Sequence, residues 1–180
     1  MANICITNYW VKGEKETLQK IADAINDKNA VVEKTIPCWA GNTLAKLGIP
    51  HDGAGRCWWY DARIENGVLC FFEEGAWVRG DAIKILSNNL PDIDVVFLSE
   101  ELGCGIYETN DTMHEFVEDT TYLDDEENGC IYASSVEDLL NIVSELYPDS
   151  KGCKDIDMLN DYFNENAINS TAHEVEYVGL

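Results

Sequence analysis

Apolar residues in the first part of the chain follow two periods, one typical of strands and one typical of helices. Residues 3–11 form an apolar run that predicts a strand, and residues 14–28 place one apolar stripe at helical spacing. Helical spacing returns at 79–90, before Pro91, and residues 93–99 form the next strand-like run. The stripes are Leu18, Ile21, Ala22 and Ile25 in the first helix and Ala82, Ile83, Leu86 and Leu90 in the second. Predicted strands and helices therefore alternate.

The clearest local signal is a β-hairpin at residues 57–74. Two aromatic-rich runs, CWWYDARI and VLCFFEE, flank Glu65-Asn66-Gly67, and Asn-Gly readily adopts the positive φ angles of a type I′ turn. Successive residues of a strand point to opposite faces, so the first strand presents two sets of side chains. The set expected to face the core is Trp58, Tyr60, Ala62 and Ile64, and the opposite set is Cys57, Trp59, Asp61 and Arg63.

The order of these elements predicts an α+β fold of the ferredoxin-like, split β-α-β type, in which an antiparallel sheet carries its helices on one face. Residues 29–56 are punctuated by Pro and Gly, and we interpret them as an insertion with a short helix near residues 43–47. Its expected packing residues are Trp39, Leu44 and Leu47. Residues 1–110 are therefore predicted to form the ferredoxin-like unit, and residues 111–180 an acidic extension packed on it within one compact domain.

The extension has an α/β pattern of its own. Residues 104–109 and 129–134 are predicted strands, with a very acidic loop between them. Ser135 and Asp155 are typical N-cap residues, so each begins a predicted helix. Residues 174–178 are predicted to return as the last strand.

Charge is distributed very unevenly along the chain, whose formal net charge is −22. Residues 1–91 hold 11 acidic and 10 basic side chains, whereas residues 92–180, called here the acidic half, hold 23 acidic residues and only Lys151 and Lys154. Such a surface repels phosphate backbones and anionic lipid headgroups, so we expect neither direct nucleic-acid binding nor membrane binding. The charge either keeps the protein in solution or attracts a basic partner.

Length and cysteine pattern narrow the class of protein further. The 180 residues suit one domain with a core of its own. The chain shows no secretory signal and no run of about 18 apolar residues, and its seven cysteines include no pair at C-x-x-C spacing. The sequence therefore predicts a reduced, cytoplasmic protein with no cofactor.

One segment, from the hairpin to residue 109, carries a series of short motifs. They are Tyr60-Asp61, Ala76-Trp77, Pro91-Asp92, Glu100-Glu101 with Gly103, and Gly105 to Tyr107. In this order they resemble the YubB-type ferredoxin-like domain, which is found in plasmid- and phage-encoded proteins of unknown function. The Pro that usually follows Ala-Trp is missing, since Val78-Arg79 stands there. The resemblance implies the same fold and a mobile-element accessory protein, and it supplies no activity.

Two aromatic residues and one arginine are candidates for a binding surface. They are Trp59, Arg63 and Trp77, and of these Trp59 and Arg63 belong to the β-strand set expected on the sheet face away from the helices. Exposed aromatic side chains in that place mark a surface that binds a partner. The alternative is that the extension covers them, which would make them packing residues.

A second group of candidates lies where the fourth predicted strand ends and the next begins. Glu100, Glu101 and Tyr107 are candidate binding residues, and carboxylates grouped in a cleft also suit acid–base catalysis. The catalytic alternative requires a concave site with shifted pKa values. Alternatively, these charged residues only keep the end of the strand in contact with solvent, and no catalytic site is needed to explain them.

The acidic stretch at residues 124–131 partly matches a calcium-binding loop. Asp124, Glu126 and Asn128 occupy the first, third and fifth ligand positions, but Ser135 stands where a bidentate Glu is required. A tight hairpin turn at Asn128-Gly129 explains the same residues. These three are the candidate metal ligands of the chain, and the hairpin is the simpler interpretation.

These features predict a mobile-element accessory protein that is not an enzyme and that binds another protein through an acidic face. A sharper form of this hypothesis is mimicry of nucleic acid, in which carboxylates of the acidic half occupy a basic DNA-binding groove. The alternative is a carboxylate-dependent enzyme with a cleft near Glu100, Glu101 and Tyr107.

Overall fold

The computed structural model describes residues 4–76, 80–101 and 104–180. The α-helices in these ranges are α1 (Lys15–Asn26), α2 (Ala40–Lys46), α3 (Ala82–Asn89), α4 (Val136–Leu146) and α5 (Ile156–Glu165). The strands are β1 (Ile4–Lys12), β2 (Cys57–Glu65), β3 (Val68–Ala76), β4 (Asp94–Glu101), β5 (Ile106–Thr109), β6 (Thr121–Asp125), β7 (Gly129–Ala133), β8 (Ser170–Glu174) and β9 (Glu176–Tyr177). The prediction of a mixed α+β fold is confirmed, and β6 and β8 are strands that the sequence pattern did not predict.

The described strands form two sheets. The large sheet has the order β2-β3-β1-β4-β5-β9, with antiparallel neighbours except for the parallel pair β5 and β9. The small sheet has the antiparallel order β7-β6-β8. Side chains of α1, α2 and α3 share one buried cluster with Tyr9, Val11 and Phe97 of the large sheet. That side is called here the inner face, and the opposite side, which carries Asn8 and Trp10, the outer face.

The predicted insertion between α1 and β2 packs on the inner core. Leu44 of α2 is fully buried, and Trp39 and Leu47 contact the same cluster, as predicted. Asn42 is also fully buried and holds the preceding loop. Its side-chain oxygen accepts the backbone N–H groups of Val31 and Val32, each at 2.9 Å. One buried amide thus satisfies a loop that forms no regular strand or helix.

The prediction of which β2 residues face the core is wrong for the first half of the strand. Cys57 and Trp59 are buried on the inner face, whereas Trp58 and Tyr60 are half-buried on the outer face. A β-bulge between Tyr60 and Arg63 causes the error. Asp61, in the bulge, adopts a left-handed φ of 53°, and the extra residue shifts the alternation by one. Beyond the bulge the predicted core residues Ala62 and Ile64 do contact the inner core.

Trp59 is therefore a core residue and not part of an exposed surface. Its side chain is 1% exposed, and its ring packs against Phe71 with 5.2 Å between the centroids. The indole Nε1–H donates a hydrogen bond to Glu73 Oε2 at 2.6 Å. The other carboxylate oxygen of Glu73 accepts the backbone N–H of Gly80 at 2.6 Å. A strict alternation of side chains along β2 assigns Trp59 to the wrong face, because it does not account for a bulge.

The C-terminal helices cover one face of the small sheet. Their shared buried cluster is Leu123, Ala133, Leu139, Val143, Leu159, Phe163 and Ala172. Both predicted caps are confirmed, since Ser135 accepts the backbone N–H of Asp138 at 3.2 Å and Asp155 accepts that of Met158 at 2.8 Å. The part of the chain from β6 to β8 therefore has a core of its own.

The other face of the small sheet packs beside β5 of the large sheet. Tyr122 of β6 is fully buried there, with its ring centroid 5.0 Å from that of Tyr107 and 4.8 Å from that of His173. Val175 completes this third, smaller cluster. The contact places the small sheet next to the outer face of the large sheet.

Candidate functional site

A cavity of about 580 Å³, called here the sheet pocket, opens on the outer face of the large sheet. Strands β1, β4 and β5 form its floor, residues 116–119 one wall, and Tyr132 of β7 the other wall. The lining residues are Asn8, Trp10, Leu98, Glu100, Tyr107, Phe116, Val117, Glu118, Asp119 and Tyr132. Aromatic rings and carboxylates thus surround one concavity, and no Lys or Arg is among the described residues that line it.

A second cavity, of about 730 Å³, lies between α4 and the 3-10 turn Pro148–Gly152. It brings together Lys151 and Lys154, both exposed, beside the half-exposed Cys153. Its described lining includes no aromatic ring, and its one carboxylate, that of Glu137, is exposed. The sheet pocket, although smaller, has the better-defined chemistry and is the candidate site.

Strand register brings two of the predicted site residues together and separates the third. Glu100 of β4 pairs directly with Tyr107 of β5, and directly paired residues point to the same side of a sheet. Both line the sheet pocket. Glu101 points to the inner face, where it is 9% exposed and its Oε2 has no hydrogen-bond partner among the described residues. The predicted group therefore forms a site only as the pair Glu100 and Tyr107.

Glu100 is the half-buried acid of the sheet pocket. Burial raises the pKa of its carboxyl, and the hydrogen bond that Tyr132 Oη donates to Glu100 Oε1 at 3.0 Å offsets part of that rise. Burial and the nearby charge of Glu100 raise the pKa of both the Tyr107 and Tyr132 hydroxyls. These phenols therefore stay protonated at neutral pH, and Tyr107 Oη donates to the carbonyl oxygen of Asp119 at 2.8 Å.

Replacing Glu100 by glutamine is expected to raise the free energy of unfolding at neutral pH. Burial raises the pKa of this carboxyl, so its ionisation in the folded state costs stability as the pH rises above the ordinary Glu value. Glutamine keeps an acceptor oxygen for Tyr132 and removes the buried charge. Urea unfolding should show a gain for the variant at about pH 7 that shrinks at about pH 4. A loss of equal size at both pH values would contradict this expectation.

Residues 110–119, called here the strap, cross the outer face and provide one wall of the pocket. Phe116 stacks on Trp10, with ring centroids 5.4 Å apart and 12° between the ring planes. Lys12 forms an ion pair with Glu115, and its Nζ lies 5.3 Å from the centre of the Phe116 ring. The strap is therefore attached to β1 by a stacking contact and an ion pair.

The buried carboxylate of Asp111 fixes the backbone of the strap. It accepts the backbone N–H groups of Glu115, Phe116 and Val117 at 3.1, 2.7 and 2.9 Å. Burial by itself pushes the pKa of Asp111 upward, but the N–H donors outweigh burial and the pKa lies below the ordinary value. This carboxylate shapes the pocket wall without lining the pocket.

The strap is expected to loosen in acid. Because the pKa of Asp111 is lowered, its ionised form contributes stability above the ordinary Asp value of 3.8, and that contribution is lost as the pH falls through the lowered value. The amide NMR shifts of Phe116 and Val117 should report the change between about pH 5 and about pH 2. Asp111→Asn should show the loosened shifts already at neutral pH. Unchanged wild-type shifts down to global unfolding would count against this role.

One further candidate from the sequence lies away from the sheet pocket. Arg63 is exposed on the edge strand β2, where its Nε pairs with Glu65 Oε1 at 2.7 Å, and it does not line the sheet pocket. Trp77 lies outside the described residues. Of the described residues of this predicted surface, Trp59 is buried in the core and Arg63 is exposed outside the sheet pocket.

The acidic stretch between β6 and β7 is a hairpin turn built on Asp125. Its Oδ1 accepts the backbone N–H of Asn128 at 2.6 Å. The candidate ligand Glu126 accepts a hydrogen bond from Asn169 at 2.8 Å, and Asp124 lies 3.9 Å from the Cys130 Sγ. Across the ranges that the structure describes, no group of three His, Cys, Asp or Glu side chains is placed to hold a metal ion.

Several pocket residues escaped the sequence analysis. Asn8 and Trp10 alternate with buried residues on β1, so the period of that strand could have placed them on the outer face. Phe116, Asp119 and Tyr132 belong to segments whose position depends on the extension's packing. No local motif marks them as parts of a site.

No family model, curated protein or solved structure matches this chain. Within the described residues, no helix combines the length and the apolar character needed to cross a membrane. None of the seven cysteines forms a disulfide with another described residue. The function is therefore argued from the geometry and charge of the sheet pocket and its surroundings.

Proposed function

We propose that this chain is a non-enzymatic protein-binding module that captures a basic protein partner at the sheet pocket. One observation carries the proposal, namely that aromatic rings and carboxylates share a single concavity with no described cation in its lining. Aromatic faces and desolvated carboxylates both attract positive charge. Glu100 supplies the half-buried carboxylate, and Glu118 and Asp119 lie exposed at the pocket wall.

The distribution of charge supports a basic partner. The strap and β7 both belong to the acidic half, which holds 23 acidic residues against two basic ones. Such a field raises the association rate of a positively charged protein and weakens as salt is added. Mimicry of nucleic acid is the sharper form of the proposal, in which the partner's DNA-binding groove receives this surface.

An apolar surface beside the pocket supports a macromolecular partner. Ile4 and Ile6 of β1 are 55% and 36% exposed on the outer face. Tyr60 and Phe72 of the neighbouring strands stack there with 5.2 Å between ring centroids, and both are half-buried. An exposed apolar patch adjoining a charged pocket is typical of a protein interface.

The same proposal includes a ferredoxin-like origin for the first half of the chain. The strand order β2-β3-β1-β4, antiparallel throughout, supports a split β-α-β arrangement with β5 and β9 added at one edge. We propose that the chain is related to the YubB-type accessory proteins of mobile elements, and this strand order and the motifs described above support that relation. Seven cysteines with no disulfide among the described residues support a reducing, cytoplasmic location.

A panel of basic DNA-binding proteins tests the proposal. At least one member should associate with the protein at about 50 mM salt, and its affinity should fall by about tenfold or more at about 500 mM salt. Biolayer interferometry with the immobilised chain measures the affinity at both salt concentrations. Absence of association at low salt, or an affinity that does not depend on salt concentration, would overturn the proposal.

A second candidate function is carboxylate-dependent catalysis in the same pocket. The raised pKa of Glu100 favours it, since burial prepares a carboxyl to act as a general acid, and the nearby Asp119 offers a second carboxylate. A screen of chromogenic glycosides is the direct test. Turnover that Glu100→Gln abolishes would favour the enzyme, and absence of turnover together with salt-sensitive protein binding would favour the binding module.

A further inference from the structure

We propose that the sheet pocket recognises the guanidinium group of an arginine side chain. The inference rests on the proposed function and specifies which chemical group of the basic partner enters the pocket. It follows from the shape and chemistry of the lining and not from total charge alone. Any cation is drawn to the acidic half, but few fit a flat aromatic wall that adjoins a half-buried carboxylate.

The lining offers the two features that a guanidinium uses together. Trp10 and Phe116 present stacked planar rings at one side, and Tyr107 and Tyr132 add two more rings next to Glu100. A guanidinium stacks on aromatic faces and at the same time donates paired N–H bonds to a carboxylate. An ammonium is a more strongly hydrated point charge, so it loses more on entering a partly desolvated pocket.

Glu100 is prepared for such a ligand. Tyr132 Oη bonds to its Oε1 at 3.0 Å and so fixes the orientation of the carboxylate. Burial disfavours the ionised form of Glu100 in the free protein, and an incoming cation restores favourable electrostatics. The amide of Asn8 adds a polar group on the pocket floor.

One of these rings, that of Phe116, already contacts a cation of the protein itself. Lys12 Nζ lies 5.3 Å from the centre of the Phe116 ring while it pairs with Glu115. This arrangement shows that cation, ring and carboxylate meet in favourable geometry at the strap. The pocket supplies two of these three components, the aromatic rings and the carboxylate of Glu100. The third, the cation, must come from a ligand.

The experiment compares two peptides of equal charge, blocked octa-arginine and blocked octa-lysine, by calorimetry at about 150 mM salt. Wild-type protein should bind the arginine peptide about fivefold or more tightly than the lysine peptide, the size expected of one stacked cation. Glu100→Gln should reduce that ratio to about one. Glu145→Gln, which removes an exposed charge from α4 outside the pocket, should leave the ratio unchanged.

The outcomes separate this inference from the function on which it rests. Equal affinities for the two peptides in wild-type protein, or an unchanged ratio in Glu100→Gln, would overturn arginine recognition while leaving salt-sensitive binding of basic proteins in place. Failure of every basic protein and both peptides to bind would overturn both. Circular dichroism of each variant checks that the fold is retained.

Discussion

Replacing Trp59 by alanine is expected to lower the free energy of unfolding by about 3–5 kcal/mol. The ring is 1% exposed and packs between β2 and the inner core against Phe71. Alanine would leave a cavity there and would remove the indole N–H that Glu73 Oε2 accepts at 2.6 Å. Because the same carboxylate also accepts the backbone N–H of Gly80, the loss should spread to the segment that precedes α3.

Urea unfolding of Trp59→Ala, with Trp58→Ala as the matched control, measures this effect. Trp58 is the neighbouring tryptophan, half-buried on the outer face, so its removal should cost clearly less. Trp59→Phe keeps an aromatic ring but removes the hydrogen bond to Glu73 together with part of the ring volume, and we expect a loss of about 1.5–3 kcal/mol. Equal losses for the two alanine variants would show that the bulge does not orient β2 as described.

Replacing Asp125 by alanine is expected to lower the free energy of unfolding by about 3 kcal/mol, because several donors lose their common buried acceptor. Asp125 is 2% exposed. Its Oδ1 accepts the backbone N–H of Asn128 at 2.6 Å, and its Oδ2 accepts the hydroxyls of Tyr147 and Ser170 at 2.6 and 2.9 Å. One side chain thus ties the β6–β7 turn to the end of α4 and to β8.

The matched control for Asp125 is its neighbour Asp124. The side chain of Asp124 is half-buried and makes a long contact of 3.9 Å with the Cys130 Sγ, so Asp124→Ala should cost less than about 1 kcal/mol. Thermal unfolding and amide hydrogen exchange of α4 and β8 measure both variants. Similar losses of stability in both variants would mean that negative charge in the turn matters more than the hydrogen bonds that Asp125 accepts.

The elements that local rules control were predictable from the sequence. The period of α1, the Asn-Gly turn and the caps at Ser135 and Asp155 depend on neighbouring residues only, and each is found where the sequence indicated it. The burial of Trp59 was not predictable, because a bulge at Asp61 reverses the alternation and no local signal marks it. Strand β6 was missed because the acidic residues around it obscured its apolar positions.

The candidate site was only partly predictable for a similar reason. Glu100 and Tyr107 face each other through strand register, which follows once two adjacent strands are assigned. Glu101 was grouped with them by proximity in the chain, but its side chain lies on the other face of the same strand. Trp10, Phe116 and Tyr132 enter the pocket from β1, the strap and β7, so only the tertiary arrangement assembles them.

Because the two halves of the chain differ so strongly in charge, a binding test must separate general charge attraction from binding at the sheet pocket. Any basic protein is attracted to the acidic half, so attraction alone does not identify a site. A variant inside the pocket and a variant of equal charge outside it separate the two effects. Glu100→Gln and Glu145→Gln form that pair, since Glu145 is exposed on α4.

The most direct measurement is the affinity of wild-type protein and of these two variants for the basic protein that binds most tightly in the panel, at low and at high salt. We expect Glu100→Gln to weaken binding by about tenfold, the loss of one desolvated ion pair, and Glu145→Gln by less than about twofold. Added salt should weaken the binding of all three proteins to this partner. Equal weakening by the two variants would show that the acidic half binds through its overall charge, and that the sheet pocket is not the binding site.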